Sequence, residues 1–199
     1  MSSLTPELVQ SFYHDACVSY GAHVRSKGDD AMMKLVANFL DLIGVQDKQQ
    51  FLNDFTTTIF DTIYTPYTVG VAGSPGYDLW SQITTLVHEL THVTQHDADR
   101  LGFWMKYLAD KSARAHYEAQ AYGADLEMHI WRYGEPYDLA ETAGYLQYYG
   151  LQQEHIEFAH VELQTIADVI QNTDGAVSPV AAWAMTWLEQ RAPDLKYGA

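Results

Sequence analysis

His88, Glu89 and His92 stand together in the stretch Leu86-Val87-His88-Glu89-Leu90-Thr91-His92-Val93-Thr94-Gln95-His96. If the stretch is helical, His88 and His92 lie one turn apart and their rings converge on one ion, with Glu89 beside it. This is the H-E-x-x-H arrangement, in which two imidazoles bind Zn²⁺ and the glutamate takes a proton from the water that the metal activates. A rotation of about 100° per residue puts Leu86, Leu90 and Val93 on one side, with Ile83 and Val87 at its margin. His88, Glu89, His92, Gln95 and His96 fall on the other side, as a helix lining a pocket requires. His96 extends the histidine row but not the metal site. It would lie about 12 Å from His88 along the axis at 1.5 Å per residue. Three imidazoles in such a row cannot close around one tetrahedral ion. His96 is expected in a supporting position, at the rim or exposed.

A hydrolytic zinc site needs a third protein ligand and one position open to water. The stretch Arg114 to Trp131 is the best source. Glu118, Tyr122, Asp125 and His129 form one helical stripe, flanked by apolar Ala119, Leu126 and Ile130. Alanines at 115, 119, 121 and 124 leave room for a close helical neighbour. Glu118 is the first candidate and Asp125 the next, followed by His116 and His129. With Glu118 as ligand, Asp125 and His129 become candidates for orienting a ligand imidazole.

These residues give the chain a resemblance to the zincin metallopeptidases, and within them to the gluzincins. It rests on His88-Glu89-Leu90-Thr91-His92 with Val93-Thr94-Gln95, and on Tyr117-Glu118-Ala119-Gln120-Ala121. The HELTHVxQ run is similar to that of small zincin-like domains in bacterial and phage proteins. The run from Glu118 to Met128 is similar to the glutamate helix of repressor-cleaving zincins from mobile elements. The resemblance implies zinc held by His88, His92 and Glu118, with Glu89 as general base, and it covers about residues 57–130. In the gluzincin pattern an aspartate follows the glutamate by four places, where this chain has Tyr122. Thr62-Ile63-Tyr64-Thr65-Pro66 resembles the edge strand that borders the cleft in such folds.

Several elements must position these groups. Thr5 and Pro6 suit the start of a helix carrying Leu8, Val9, Phe12, Tyr13, Ala16, Cys17 and Tyr20 at helical spacing. Helices are also expected over 30–42 and 47–55. Residues 56–71 are rich in threonine, isoleucine, tyrosine and valine, the mix that suits strands, with Pro66 breaking the run or lying at an edge. A turn-rich loop over 72–78 precedes the histidine helix. Further helices are expected near 112–132, 137–148, 151–171 and 178–190. The expected fold is mainly α (α+β): one zincin-like helical domain over 1–199, with a small β-sheet or hairpin before the histidine helix.

At 199 residues the chain suits one packed core, and 47% hydrophobic against 19% charged residues marks a globular protein. Eleven basic residues against 26 acidic ones give a formal charge of −15. That surface disfavours nucleic acid and anionic membranes as partners. The single cysteine, Cys17, forms no internal disulfide and reads as buried filler. The N-terminus shows no secretory signal and no apolar stretch is long enough to span a bilayer, so the expectation is a soluble protein.

The expected function is a zinc-dependent metalloendopeptidase acting on a peptide or protein substrate. The alternative is a catalytically silent zincin-like domain that keeps the metal for binding or interaction. Glu89 favours the first, since a structural zinc site has four closed ligands and no use for a base. A strand near 62–70 is expected to hold substrate by β-addition. Tyr148, Tyr149, His155 and His160 are candidates for stabilising the oxyanion.

Overall fold

Local sequence signals set the first helix. Thr5 accepts the Leu8 N–H at 3.2 Å and Pro6 occupies the first turn of α1 (Pro6–Tyr20), which Gly21 closes at a left-handed φ of 62°. One face buries Val9, Phe12, Tyr13 and Ala16. Cys17 is half-buried against the same core, more exposed than expected, because it lies at the margin of that face.

The computed structural model describes residues 4–27, 38, 55–73, 76–173 and 176–198. Among these residues the chain is mainly helical with one small sheet, the α+β class expected. The helices expected over 30–42 and 47–55 lie outside the described residues, save Asn38 and Phe55.

The sheet corrects one expectation. Strand β1 (His23–Ser26) pairs in parallel with β3 (Thr62–Thr65), and β2 (Thr57–Ile59) pairs antiparallel with β3's other side. The order is β1-β3-β2, so the Thr62–Thr65 strand is central and not an edge. Local composition marks 57–65 as strand but contains no sign of the distant β1 that covers its second side. The neighbour of the histidine helix is β2, whose three residues are all buried. Among the described residues, β2 therefore offers no exposed strand for an extended peptide to join. β-Addition at 62–65 is also blocked, by pairing on both sides.

Helix α2 (Leu79–Ala98) begins where Asp78 accepts the Ser81 N–H at 2.7 Å. The Tyr13 hydroxyl donates to the Gln82 carbonyl at 2.6 Å and pairs with the Tyr67 hydroxyl at 2.8 Å, tying α1, α2 and the loop after β3 together. Helix α3 (Arg100–Ala109) fills the connection to α4 (Lys111–Tyr133), which Asp110 starts and Gly134 ends. Next come α5 (Leu139–Gly144), a 3₁₀ turn (Tyr145–Tyr149), α6 (Gln153–Asn172), α7 (Pro179–Arg191) and a second 3₁₀ turn (Pro193–Leu195).

Among the described residues the buried apolar side chains form two clusters. Leu86, Val87, Leu90 and Val93 of α2 join the larger one, with α1 and α7, while Phe103, Tyr107, Ala115, Ala119 and Tyr149 belong to the other. Ala115, Ala119, Ala121 and Ala124 are fully buried, as close helical neighbours require. Helices α2 and α4 run against each other with the polar faces of both turned into a shared cavity. No helix among the described residues is long and apolar enough to cross a membrane.

Candidate metal centre

Two helices bring three ligand-type side chains together. His88 and His92 come from α2 and Glu118 from α4, all buried, and one ligand atom from each lies within 4.8 Å of the others. Glu118 Oε2 lies 3.5 Å from His88 Nε2, and Glu118 Oε1 lies 3.5 Å from His92 Nε2. Tetrahedral zinc with bonds of about 2.0–2.1 Å spaces its ligand atoms about 3.3 Å apart. The observed separations fit that spacing closely and are long for hydrogen bonds.

Each imidazole is held from behind. The Nδ1 of His88 lies 3.2 Å from Asp125 Oδ2. The Nδ1 of His92 lies 2.9 Å from Gln95 Oε1. Gln95 uses its amide N–H groups on the Tyr117 carbonyl at 3.1 Å and on Gln120 Oε1 at 3.0 Å. A carbonyl only accepts, so the Gln95 oxygen must face His92 and receive its Nδ1–H. With Nδ1 donating, the neutral ring presents the Nε2 lone pair towards Glu118, as a metal ligand needs.

Glu118 supplies a further test of fit. It is fully buried, yet its Oε2 has no hydrogen-bond partner among the described residues. Its Oε1 accepts from the Tyr107 hydroxyl. A buried carboxylate oxygen without a donor is costly unless a cation faces it. Burial works against the Glu118 charge, but the neighbouring His92 and His88 outweigh it and hold its pKa far below the usual carboxylate range. Burial likewise opposes the charged forms of His88 and His92. Asp125 and Glu118 nevertheless raise His88 well above the ordinary imidazole value, and Glu118 raises His92. The raised affinity of both rings for protons reflects the demand for positive charge that the donor set creates. A divalent cation meets the same demand, and the residues fit one.

Glu89 sits beside this group. Its Oε2 accepts the Thr58 hydroxyl of β2 at 2.5 Å, which fixes the carboxylate. Glu89, His92, Glu118, Tyr107, Tyr149, Phe103, Trp104 and residues 56–58 line a cavity of about 20 Å³. That is room for one water, and none for a peptide side chain.

The structure sorts the remaining candidates. Asp125 faces Nδ1 of His88, on the far side from Glu118, and so stands behind the His-His-Glu group and outside it. His116 bonds Glu162 at 2.7 Å, and His129 packs on Tyr133 and Tyr137, so neither joins the group and His129 orients no imidazole. His96 lies half-buried among Phe60, Phe103 and Trp104, outside the group. Of the four oxyanion candidates only Tyr149 reaches the cavity; Tyr148 packs on Phe55, His160 bonds Gln164, and His155 approaches only Glu154 among the ionised groups. Tyr122, in the place of the aspartate of the gluzincin pattern, sets its ring 4.7 Å from that of His88. The carboxylate to that imidazole comes instead from Asp125.

Sequence reasoning did not single out Gln95, Thr58, Tyr107 or Arg114. Gln95 had a readable signal, since it follows His92 by three places and so reaches the same ring. The other three act across the fold and leave no local trace.

No protein-family model matches this chain, and no curated protein or solved structure matches it either. The class the fold and site define is a mainly helical domain with a buried His-His-Glu group able to hold a metal ion.

Proposed function

We propose that this protein is a zinc-dependent metallopeptidase, with His88, His92 and Glu118 as ligands and Glu89 as general base. The observation that carries this reading is the placement of both Nε2 atoms against one buried carboxylate, with Glu89 on the wall of the same water-sized cavity. Bound zinc would supply a Lewis acid that polarises a peptide carbonyl and acidifies a water in its open position.

The chain's own residues do the rest. Thr58 occupies Oε2 of Glu89, which leaves Oε1 to take the proton from that water and deliver it to the departing amine. Asp125 and Gln95 hold the two imidazoles in the ligating tautomer. Tyr149 lines the cavity and on this reading would donate to the developing oxyanion.

The small cavity and the buried β2 favour a second reading, a domain that holds the metal without turning over substrate. One variant separates the two. Glu89→Gln keeps the shape and the ligands, so zinc content measured after purification should stay near one ion per chain. Cleavage of a peptide library should fall by about 10²–10⁴-fold, the contribution of a positioned base. Cleavage that survives Glu89→Gln overturns the mechanism. A wild-type protein that binds zinc and cleaves nothing supports the second reading, and one that binds no zinc overturns both.

A further inference from the structure

Arg114 is buried to 2% exposure one helical turn before Glu118, and nothing in the H-E-x-x-H chemistry calls for it. Its Nε donates to the Tyr107 carbonyl at 2.8 Å and one Nη donates to the Leu108 carbonyl at 3.1 Å. The other Nη donates to the Tyr149 carbonyl at 2.8 Å. The first two acceptors lie in the last turn of α3, where carbonyls lack intrahelical partners. The third ends the 3₁₀ turn. The guanidinium also lies 5.4 Å from the centre of the Tyr107 ring.

Both tyrosines so held belong to the cavity. The Tyr107 hydroxyl donates to Glu118 Oε1, and Tyr149 forms part of the wall. A carboxylate that presents one oxygen beside each imidazole towards a shared ion needs its rotation fixed, and the Tyr107 hydroxyl donates to its Oε1. Tyr107 stands in the last turn of α3, packed among Phe103, Trp104 and His92, and Arg114 holds its backbone carbonyl. Arginine suits the task because its planar fork serves several acceptors at once and stays charged, which one lysine ammonium cannot match.

We propose that Arg114 is a positioning residue of the metal centre: by clamping the ends of α3 and the 3₁₀ turn it sets Tyr107, and through Tyr107 the orientation of the Glu118 carboxylate. The inference rests on the metal-site reading above. A cap that only stabilises α3 would protect the fold and leave the metal indifferent.

The test measures zinc affinity and the visible spectrum of the cobalt-substituted protein for wild type, Arg114→Lys, Tyr107→Phe and the double variant. Thermal unfolding of each metal-free protein is recorded alongside. Each single change should weaken zinc binding by about 10–100-fold, the usual cost of losing a ligand's supporting partner, and alter the cobalt spectrum. The double variant should bind no more weakly than the worse single one, because both changes act on one path. Arg114→Lys that lowers the metal-free unfolding temperature while zinc affinity and spectrum stay at wild type overturns the proposal. So does full additivity of the two changes. If Arg114→Lys does not fold, Tyr107→Phe decides alone, and unchanged affinity there overturns it. Wild-type protein that takes up no metal overturns the proposed function and this inference with it. Zinc uptake by wild type and Arg114→Lys alike overturns this inference only.

Discussion

Glu89 and Glu118 border the same cavity in different surroundings. Glu118 is sealed, faces two imidazoles and has one oxygen without a hydrogen-bond partner among the described residues, which on the proposed reading suits a fixed anion for a cation. Glu89 accepts a neutral hydroxyl at one oxygen, and on the same reading its other oxygen takes the proton. The histidines connect the site to pH. In the metal-free protein burial opposes the charge on His88 and His92, but Asp125 and Glu118 raise the pKa of the first and Glu118 that of the second, so each ring keeps its proton to higher pH than an ordinary imidazole. A metal needs both Nε2 atoms bare, so its entry competes with protons. Zinc affinity should therefore fall steadily as pH drops below the raised imidazole values and level off above them. Calorimetry in buffers of different ionisation enthalpy should report a proton release on zinc binding that grows as pH falls through that range. Uptake without proton release across that range would mean that the imidazoles are not the ligands. Asp125→Asn keeps the shape but removes the carboxylate behind His88, and should cost about 10–100-fold in zinc affinity by competitive chelation.

Helix α2 carries His88, Glu89 and His92, and Asp78 caps its start by accepting the Ser81 N–H. Asp78→Ala should lower stability by about 0.5–2 kcal/mol in denaturant unfolding. Zinc affinity should stay within a few-fold, because the ligands lie beyond the first turn; a large loss would mean that the cap sets the helix register. Elements of this kind were legible in the sequence because their determinants are local. Thr5-Pro6 marks a helix start through backbone geometry, and the four-residue spacing of His88 and His92 states that they share a face of α2. Asp125 was legible as a residue near the metal, though its role as support and not ligand depends on which side of His88 it meets. The pairing of β1 with β3 was not legible, since it joins segments far apart in the chain and turns an apparent edge strand into a central one. Tyr107 and Thr58 escaped for the same reason: each reaches its carboxylate from a separate element, and no periodicity links them.

At the scale of the whole molecule the His-His-Glu group lies between α2 and α4, and among the described residues α2 packs into an apolar cluster with α1 and α7 while α4 contributes to that cluster and to a second one with α3 and the 3₁₀ turn. On the proposed reading its ligands come from α2 and α4, so an ion there would tie the polar faces of the two helices together, beside the apolar packing of Ala124 and Met128 with the α2 residues. Without an ion the three side chains keep their supporting hydrogen bonds but face one another only at 3.5 Å. Metal removal should therefore loosen the domain as a unit and not only empty a site. Zinc at 100 times its dissociation constant stabilises the folded state by about 2.7 kcal/mol when the unfolded chain binds none. For a chain of this length that corresponds to an unfolding temperature about 5–10 °C higher. A chelator should reverse the gain, and His88→Ala should abolish the dependence on both zinc and chelator. The shift should also grow with the logarithm of free zinc, which a fixed structural effect of the mutation would not do. Equal unfolding temperatures with zinc and with chelator would mean that α2 and α4 are held by packing alone, and that the His-His-Glu group binds its ion too weakly to matter for the fold.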